Sequence, residues 1–178
     1  MELLFLGTSA MIPTKERNHS ALFLKQGTEG ILIDCGEGAQ RQFKLFGETA
    51  TRITKILISH WHGDHVLGLP GLLQTLSASE YAAKEKPLGI YGPKGIKKQI
   101  AQMLKAFPFD NKLQIKIKEV KKESEKETIV KNEELEITAY PLDNSIPCLG
   151  FRIKERDKRR INVEKVKKDL ASSGIMVE

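Results

Sequence analysis

The spacing of apolar residues changes from strand-like to helix-like several times along the chain. Glu2 to Leu6 is a short apolar run stopped by Gly7, which predicts a first strand. Branched and alternating residues predict two more, Ala21 to Lys25 and Gly30 to Ile33, joined across QGTE as a hairpin. In GEGAQRQFKLF, Phe43 and Phe46 stand at helical spacing, so a helix is expected from about Ala39 to Phe46. Residues 53–59, ITKILIS, are β-type again. The next stretch, VLGLPGLLQTLSASEY, reads as a loop entering a helix near Pro70. LGIYG at 88–92 predicts a buried strand, and Pro93 fits the first turn of a helix with Ile96, Ile100, Leu104 and Phe107 on one stripe. Strands around Leu113 to Val120 and Thr128 to Tyr140 bracket the charged KKESEK, and Cys148 to Ile153 forms a last strand before a basic tail. Such alternation predicts an α/β sandwich built on mixed sheets.

Composition narrows this picture. With 178 residues, 40% hydrophobic and 29% charged, the chain suits one folded domain with a sizeable core and not disorder. No apolar run approaches the ~20 residues that cross a bilayer. The N-terminus lacks the basic-then-apolar pattern of a secretory signal, so a cytoplasmic protein with no membrane partner is expected. Two cysteines, Cys35 and Cys148, do not make a disulfide framework and suit a reducing compartment. The net charge is +6, and from Lys154 to Lys168 eight Lys or Arg stand against Glu155, Asp157 and Glu164. That run fits either a polyanionic partner or a solvated Lys-rich surface. Aromatics, at 6%, argue against a base-stacking platform.

The chemistry concentrates in HWHGDH, which holds three of the four histidines. His60 and His62 are two apart, so an extended start projects both to one side. Gly63 permits a bend that brings Asp64 and His65 to a second position beside the first. Imidazole and carboxylate are zinc ligands, and their alternation suits two ions ~3.5–4 Å apart. Such ions lower the pKa of bound water toward ~7 and offset charge growing on a phosphoryl group. Four ligands are too few for two ions, so others must come from elsewhere. His19 has no partner at ligand spacing.

Four blocks carry a family likeness: LGTSAMIPTKERNHSALFL (6–24), ILIDCGEGAQRQF (31–43), ILISHWHGDHVLGLPGLL (56–73) and AYPLDNSIPCLGFRI (139–153). In order and in detail the chain resembles ribonuclease Z, the tRNA 3′-end processing endonuclease of the metallo-β-lactamase superfamily. HxHxDH alone fixes only the superfamily; GEGAQRQ with HGDHVLGLPGLL is much narrower. The resemblance implies an αβ/βα sandwich with two zinc ions at one edge of its sheets. It implies His60 and His62 on one ion, Asp64 and His65 on the other, and a proton-transfer role for Asp64. Asp34 would fix a ligand histidine by hydrogen bond. The implied substrate is precursor tRNA, cut after the discriminator nucleotide. The implied organisation is a partial metallo-β-lactamase-like domain over residues 1–153, with 154–178 beginning an arm that grips tRNA.

The chain departs from the family pattern in three places. A histidine ligand is expected where Asn144 stands in YPLDNSIP, leaving a degenerate ligand position. No histidine comes after His65, although family members carry further ligands in a later half. Met11 replaces a small glycine. The expectation is half of an active site, inactive or incomplete by itself and completed by a homodimer or a complementary C-terminal half. A non-catalytic tRNA-binding or structural homologue is an alternative, and a small-ester metallo-hydrolase another.

Overall fold

In the computed structural model the described residues are 1–79, 81, 87–120, 125–156, 164–166 and 172. Alternate residues of each central strand serve two different cores, and this organises the whole fold. The strands are β1 (Glu2–Gly7), β2 (Ala21–Gln26), β3 (Glu29–Ile33), β4 (Lys55–Leu57), β5 (Leu88–Gly92), β6 (Ile115–Glu119), β7 (Glu127–Lys131), β8 (Leu135–Leu142) and β9 (Cys148–Glu155). The helices are α1 (Ala39–Leu45), α2 (Gly63–Val66), α3 (Leu69–Ala78) and α4 (Ile96–Ala106), with a 3₁₀ turn at Ala50–Arg52.

Strands β1 to β6 form one sheet in chain order, and β7 to β9 form a second, three-stranded antiparallel sheet. In the first sheet β1, β2 and β3 are antiparallel, then β3 to β6 run parallel. Each parallel connection crosses over the same face through α1, through α2 and α3, or through α4. Phe23, Leu32, Ile56 and Ile90 point to that helical face, packing with Phe43, Leu69, Leu72, Leu73, Leu76, Ile96 and Ile100. The rings of Phe23 and Phe43 meet edge-on at 4.9 Å and 66°. Leu24, Ile31 and Leu57 point the other way and pack under the second sheet against Ile129, Leu135, Ile137 and Leu149. The layers therefore run helices, six-stranded sheet, three-stranded sheet.

The buried polar ties sit where loops cross between layers. Glu29, at the start of β3, accepts from Thr54, Lys55 and, at 2.7 Å, from Asn132 Nδ2 in the β7–β8 turn. Burial pushes the Glu29 carboxyl up, but the Lys55 and Thr54 hydrogen bonds and the Lys55 charge hold it below the usual carboxylate range.

Four boundaries differ from expectation. Thr128 to Tyr140 is not one strand: Asn132 Oδ1 accepts from the backbone N–H of Glu134 and Leu135, at 3.0 and 2.9 Å, and folds the segment into a hairpin. The histidine motif itself holds a helical turn, α2, that the pattern did not predict, while the helix expected near Pro70 is α3, from Leu69. Helix α4 begins at Ile96 and not at Pro93, because Gly95 caps it in a left-handed conformation at φ 95°. Phe107 lies past the end of α4 and is half-exposed. No helix among the described residues is long and apolar enough to cross a membrane.

Candidate metal centre

The ends of the parallel strands β3 and β4 build the site. Neighbouring parallel strands end at one edge of a sheet, so the loop leaving β3 meets the loop leaving β4. The backbone locks the two loops together: Asp34 N–H donates to Leu57 O (2.8 Å), Cys35 N–H to His65 O (2.7 Å) and Gly68 N–H to Cys35 O (2.9 Å). Asp34 turns out of β3 at φ 58°, a conformation that Asp tolerates better than most residues. Gly36 cannot carry a side chain, since a Cβ there would stand 2.4 Å from Asp64 O and 2.4 Å from His19 Cβ.

Asp34 is the anchor. Its Oδ1 accepts the Ser59 backbone N–H at 2.8 Å, and its Oδ2 lies 2.8 Å from Ser59 Oγ and 2.7 Å from His65 Nδ1. A carboxylate only accepts, so the Ser59 hydroxyl and His65 Nδ1 both donate to it. Ser59 has spent its single proton, so its oxygen accepts from His60 Nδ1 at 2.9 Å. One carboxylate thus fixes two imidazoles with Nδ1 protonated. The Nε2 lone pairs of His60 and His65 are left facing away from the anchor.

Those lone pairs have consistent targets. His60 Nε2 lies 3.1 Å from His62 Nδ1, and His65 Nε2 lies 3.3 Å from Asp64 Oδ2. Two donors on one tetrahedral zinc, each ~2.0–2.1 Å from the ion, sit about 3.3–3.4 Å apart. The His65–Asp64 pair matches that edge length, and the His60–His62 pair, at 3.1 Å, is slightly shorter. Asp64 is 7% exposed, and its Oδ1 is buried with no hydrogen-bond partner, a costly state for a lone carboxylate oxygen. The donor chemistry fits zinc, as two pairs. Among the described residues, no three His, Cys, Asp or Glu side chains gather into a fuller cage.

Local electrostatics separate the two outer rings. His65 is held above the usual imidazole range, chiefly by its hydrogen bond to Asp34 and against burial. Burial, with the charge of His65 adding to it, pushes His60 down. Trp61 stands between the histidines on the opposite side of the extended segment and packs into the helical core. Burial and the nearby Asp34 charge raise the Cys35 thiol, which makes it an inert core residue.

The remaining candidates belong to neither donor pair. Asn144 is exposed in the turn before β9, and its Oδ1 accepts from Ser145 N–H at 2.7 Å. It lines a cavity of about 350 Å³ with Lys94, Val120 and Cys148, and none of His60, His62, Asp64 or His65 borders that cavity. His19 is buried beside Gly36 with Nε2 3.3 Å from Met11 O and Nδ1 unpartnered. Ser59 is a residue of this turn that the sequence reading misses, although it joins Asp34 to both His60 and His65. Its position directly before HxHxDH is the available signal.

A family model described as Anti-Pycsar protein Apyc1 matches residues 1–145. Ribonuclease Z of Methanocaldococcus jannaschii is 43% identical over 168 residues, covering 94% of this chain and 52% of that protein. The chain belongs to this family of metallo-β-lactamase fold proteins and is homologous to ribonuclease Z. The crystal structure of human tRNase Z, short form, superposes with a TM-score of 0.78 at 34% identity, covering 87% of this chain and 65% of that one. The metallo-β-lactamase fold protein YhfI from Bacillus subtilis shares the fold at 20% identity and a TM-score of 0.65, covering 85% of this chain and 58% of that one. The architecture is accordingly the αβ/βα metallo-β-lactamase sandwich. This ribonuclease Z homologue spans about half the length of the curated relatives it matches, 52% and 50% for two methanogen proteins.

Proposed function

We propose that this chain carries the metal-binding half of a zinc-dependent phosphodiesterase of the ribonuclease Z type, acting on precursor tRNA once its remaining ligands are supplied. The observation that supports it best is the pair of donor separations, 3.1 and 3.3 Å, each including one imidazole whose Nδ1 proton is drawn away from the donor atom, His65 by Asp34 and His60 by Ser59. His60 Nε2 with His62 Nδ1 would hold one ion, and His65 Nε2 with Asp64 Oδ2 the other. When bound, the ions would supply an activated water at neutral pH and offset phosphoryl charge. Asp34 and Ser59 keep the rings in place and in the correct tautomer. Asp64, whose Oδ1 is buried and unpartnered, would take or return a proton during hydrolysis in this reading. Asn144 contributes nothing to either pair in this reading, so its replacement of a histidine leaves the site short of one family ligand.

The division into a partial domain at 1–153 and an RNA-gripping segment at 154–178 belongs to the same proposal. Most of that segment lies outside the described residues. Its local excess of +5, from eight basic and three acidic residues between 154 and 168, supports a phosphate-backbone partner.

Zinc bound per chain, measured by elemental analysis after dialysis, tests the metal reading. It should fall on His62→Ala and on His65→Ala while the circular dichroism spectrum is retained. Precursor-tRNA cleavage that is unaltered by His62→Ala would refute the mechanism. Salt-sensitive tRNA binding with no zinc would favour the non-catalytic homologue, and cleavage of a small diester without cleavage of tRNA would favour the small-ester hydrolase.

A further inference from the structure

An open groove of about 320 Å³ runs along the helical layer between the histidine turn and α4. Its size is at the lower end of small-molecule sites. Trp61 and Leu67 border it on one side, and Gln99, Gln102, Met103 and Phe107 on the other. Spacings of three and four put Gln99, Gln102 and Met103 on one face of α4, beside the buried stripe of Ile96 and Ile100. Leu67 is 59% and Phe107 50% exposed, so apolar surface is left open here. The chain holds too few aromatics for an extended stacking platform, yet two of them border this groove.

Charge gives the groove a sign. Helix α3, LPGLLQTLSA, has no ionisable side chain, and α4, IKKQIAQMLKA, has Lys97, Lys98 and Lys105 with no acid. Lys98, Gln102 and Lys105, at spacings of four and three, form the stripe of α4 next to the face that lines the groove. Both of these lysines are exposed, and among the described residues neither has an ion-pair partner. The walls therefore offer aromatic rings, a thioether, two amides and a flank of unpaired cations. A flat heterocycle lies well against Trp61, Phe107 and the Met103 sulfur. The glutamine amides both donate and accept, as the edge of a nucleobase does. The lysines suit the phosphates on either side of such a base. A lipid chain would leave the amides unpaired, and an inorganic anion would leave the aromatic surface bare. Groove-to-groove pairing of two copies would set Lys98 and Lys105 of one against those of the other.

We propose that this groove takes one unpaired base of a single-stranded RNA, with Lys98 and Lys105 on the adjoining phosphates. Naming the strand as RNA rests on the ribonuclease Z reading; the chemistry of the groove involves no metal. Trp61 stands between His60 and His62, so one three-residue segment faces the donor atoms on one side and the groove on the other. The base held there would belong to a nucleotide close to the cleaved phosphodiester.

The test uses the full chain with a chelator present, so that neither zinc nor cleavage contributes. The probes are a single-stranded adenylate RNA tetranucleotide and an abasic ribose-phosphate tetramer, and the readout is the emission of Trp61, the single tryptophan. A saturable change with the RNA is expected, weakening as salt rises, with the abasic tetramer bound at least fivefold less tightly. Phe107→Ala, and separately the pair Lys98→Glu and Lys105→Glu, should each weaken RNA binding at least fivefold. Lys131→Glu, on β7 in the other sheet, should leave it within twofold. Should Phe107→Ala lower the melting temperature, Gln102→Ala at an exposed position of the same groove replaces it. RNA binding with unchanged Trp61 emission, equal affinity for the abasic tetramer, indifference to both groove variants, or no binding at all would overturn the proposal. So would an RNA-independent dimer on native mass spectrometry that Phe107→Ala dissolves. With zinc removed throughout, failure here leaves the metal reading standing, and failure of the metal reading leaves this binding measurable.

Discussion

Asp34→Asn isolates the role of one proton-directing group without changing the shape of the turn. Asparagine tolerates the φ of 58° as aspartate does, so little backbone strain is added. Its amide oxygen can still accept the Ser59 backbone N–H, but an NH₂ group then replaces Oδ2, which serves Ser59 Oγ and His65 Nδ1. That NH₂ must donate to His65 Nδ1, which drives the ring proton to Nε2, onto the lone pair aimed at Asp64. Ser59 loses its acceptor as well, and with it the reason for His60 Nδ1 to stay protonated. Loss of charge-assisted hydrogen bonds of this kind costs about 1.5–3 kcal/mol each, partly offset by the new amide contact. Removing such a partner typically lowers metal affinity about 10–100-fold. The assay is a zinc titration against a competing chelator, paired with nitrogen NMR of the imidazole tautomers. Unchanged zinc affinity together with an unchanged His65 tautomer would refute the reasoning.

Packing and charge set two further outcomes. The Glu29 carboxyl is held down in the folded state, so its contribution is complete above the unfolded value near 4.5 and is lost as pH falls through the lower folded value. Urea unfolding from pH 7 to pH 3 should therefore show a shallower acid decline in Glu29→Gln than in the parent; parallel curves would contradict the assignment. Gly36→Ala places a Cβ 2.4 Å from the backbone oxygen of Asp64, which cannot move independently of the histidine turn, and should cost roughly 1–3 kcal/mol in denaturant unfolding. An unchanged midpoint would show that the β3 and β4 loops are not locked as described.

Elements were legible in the sequence where one physical signal dominated. Leu88–Gly92 is apolar and short between turn residues, and it forms the strand expected. The β7–β8 hairpin was not legible, because its turn depends on a side-chain acceptor, Asn132, within residues that otherwise continue the strand pattern. The histidine motif declared its donors, and spacing placed His60 and His62 on one side of an extended segment. The family likeness suggested an Asp34–histidine bond, but the relay through Ser59 was not readable, since Ser59 lies 25 residues from Asp34 in sequence yet 2.8 Å away in space. The uncovered face of β1 was equally hidden: Leu3 and Phe5 look like core residues until the width of the opposing sheet is known.

Trp61 is the chain's single tryptophan, and it is rooted in the helical core between the two histidines that face the other way. Its emission would therefore report the cohesion of the interior and the steadiness of the adjoining imidazoles at once. Heating should dissolve both together, so an optical melting curve on unlabelled protein doubles as a thermometer for the histidine turn.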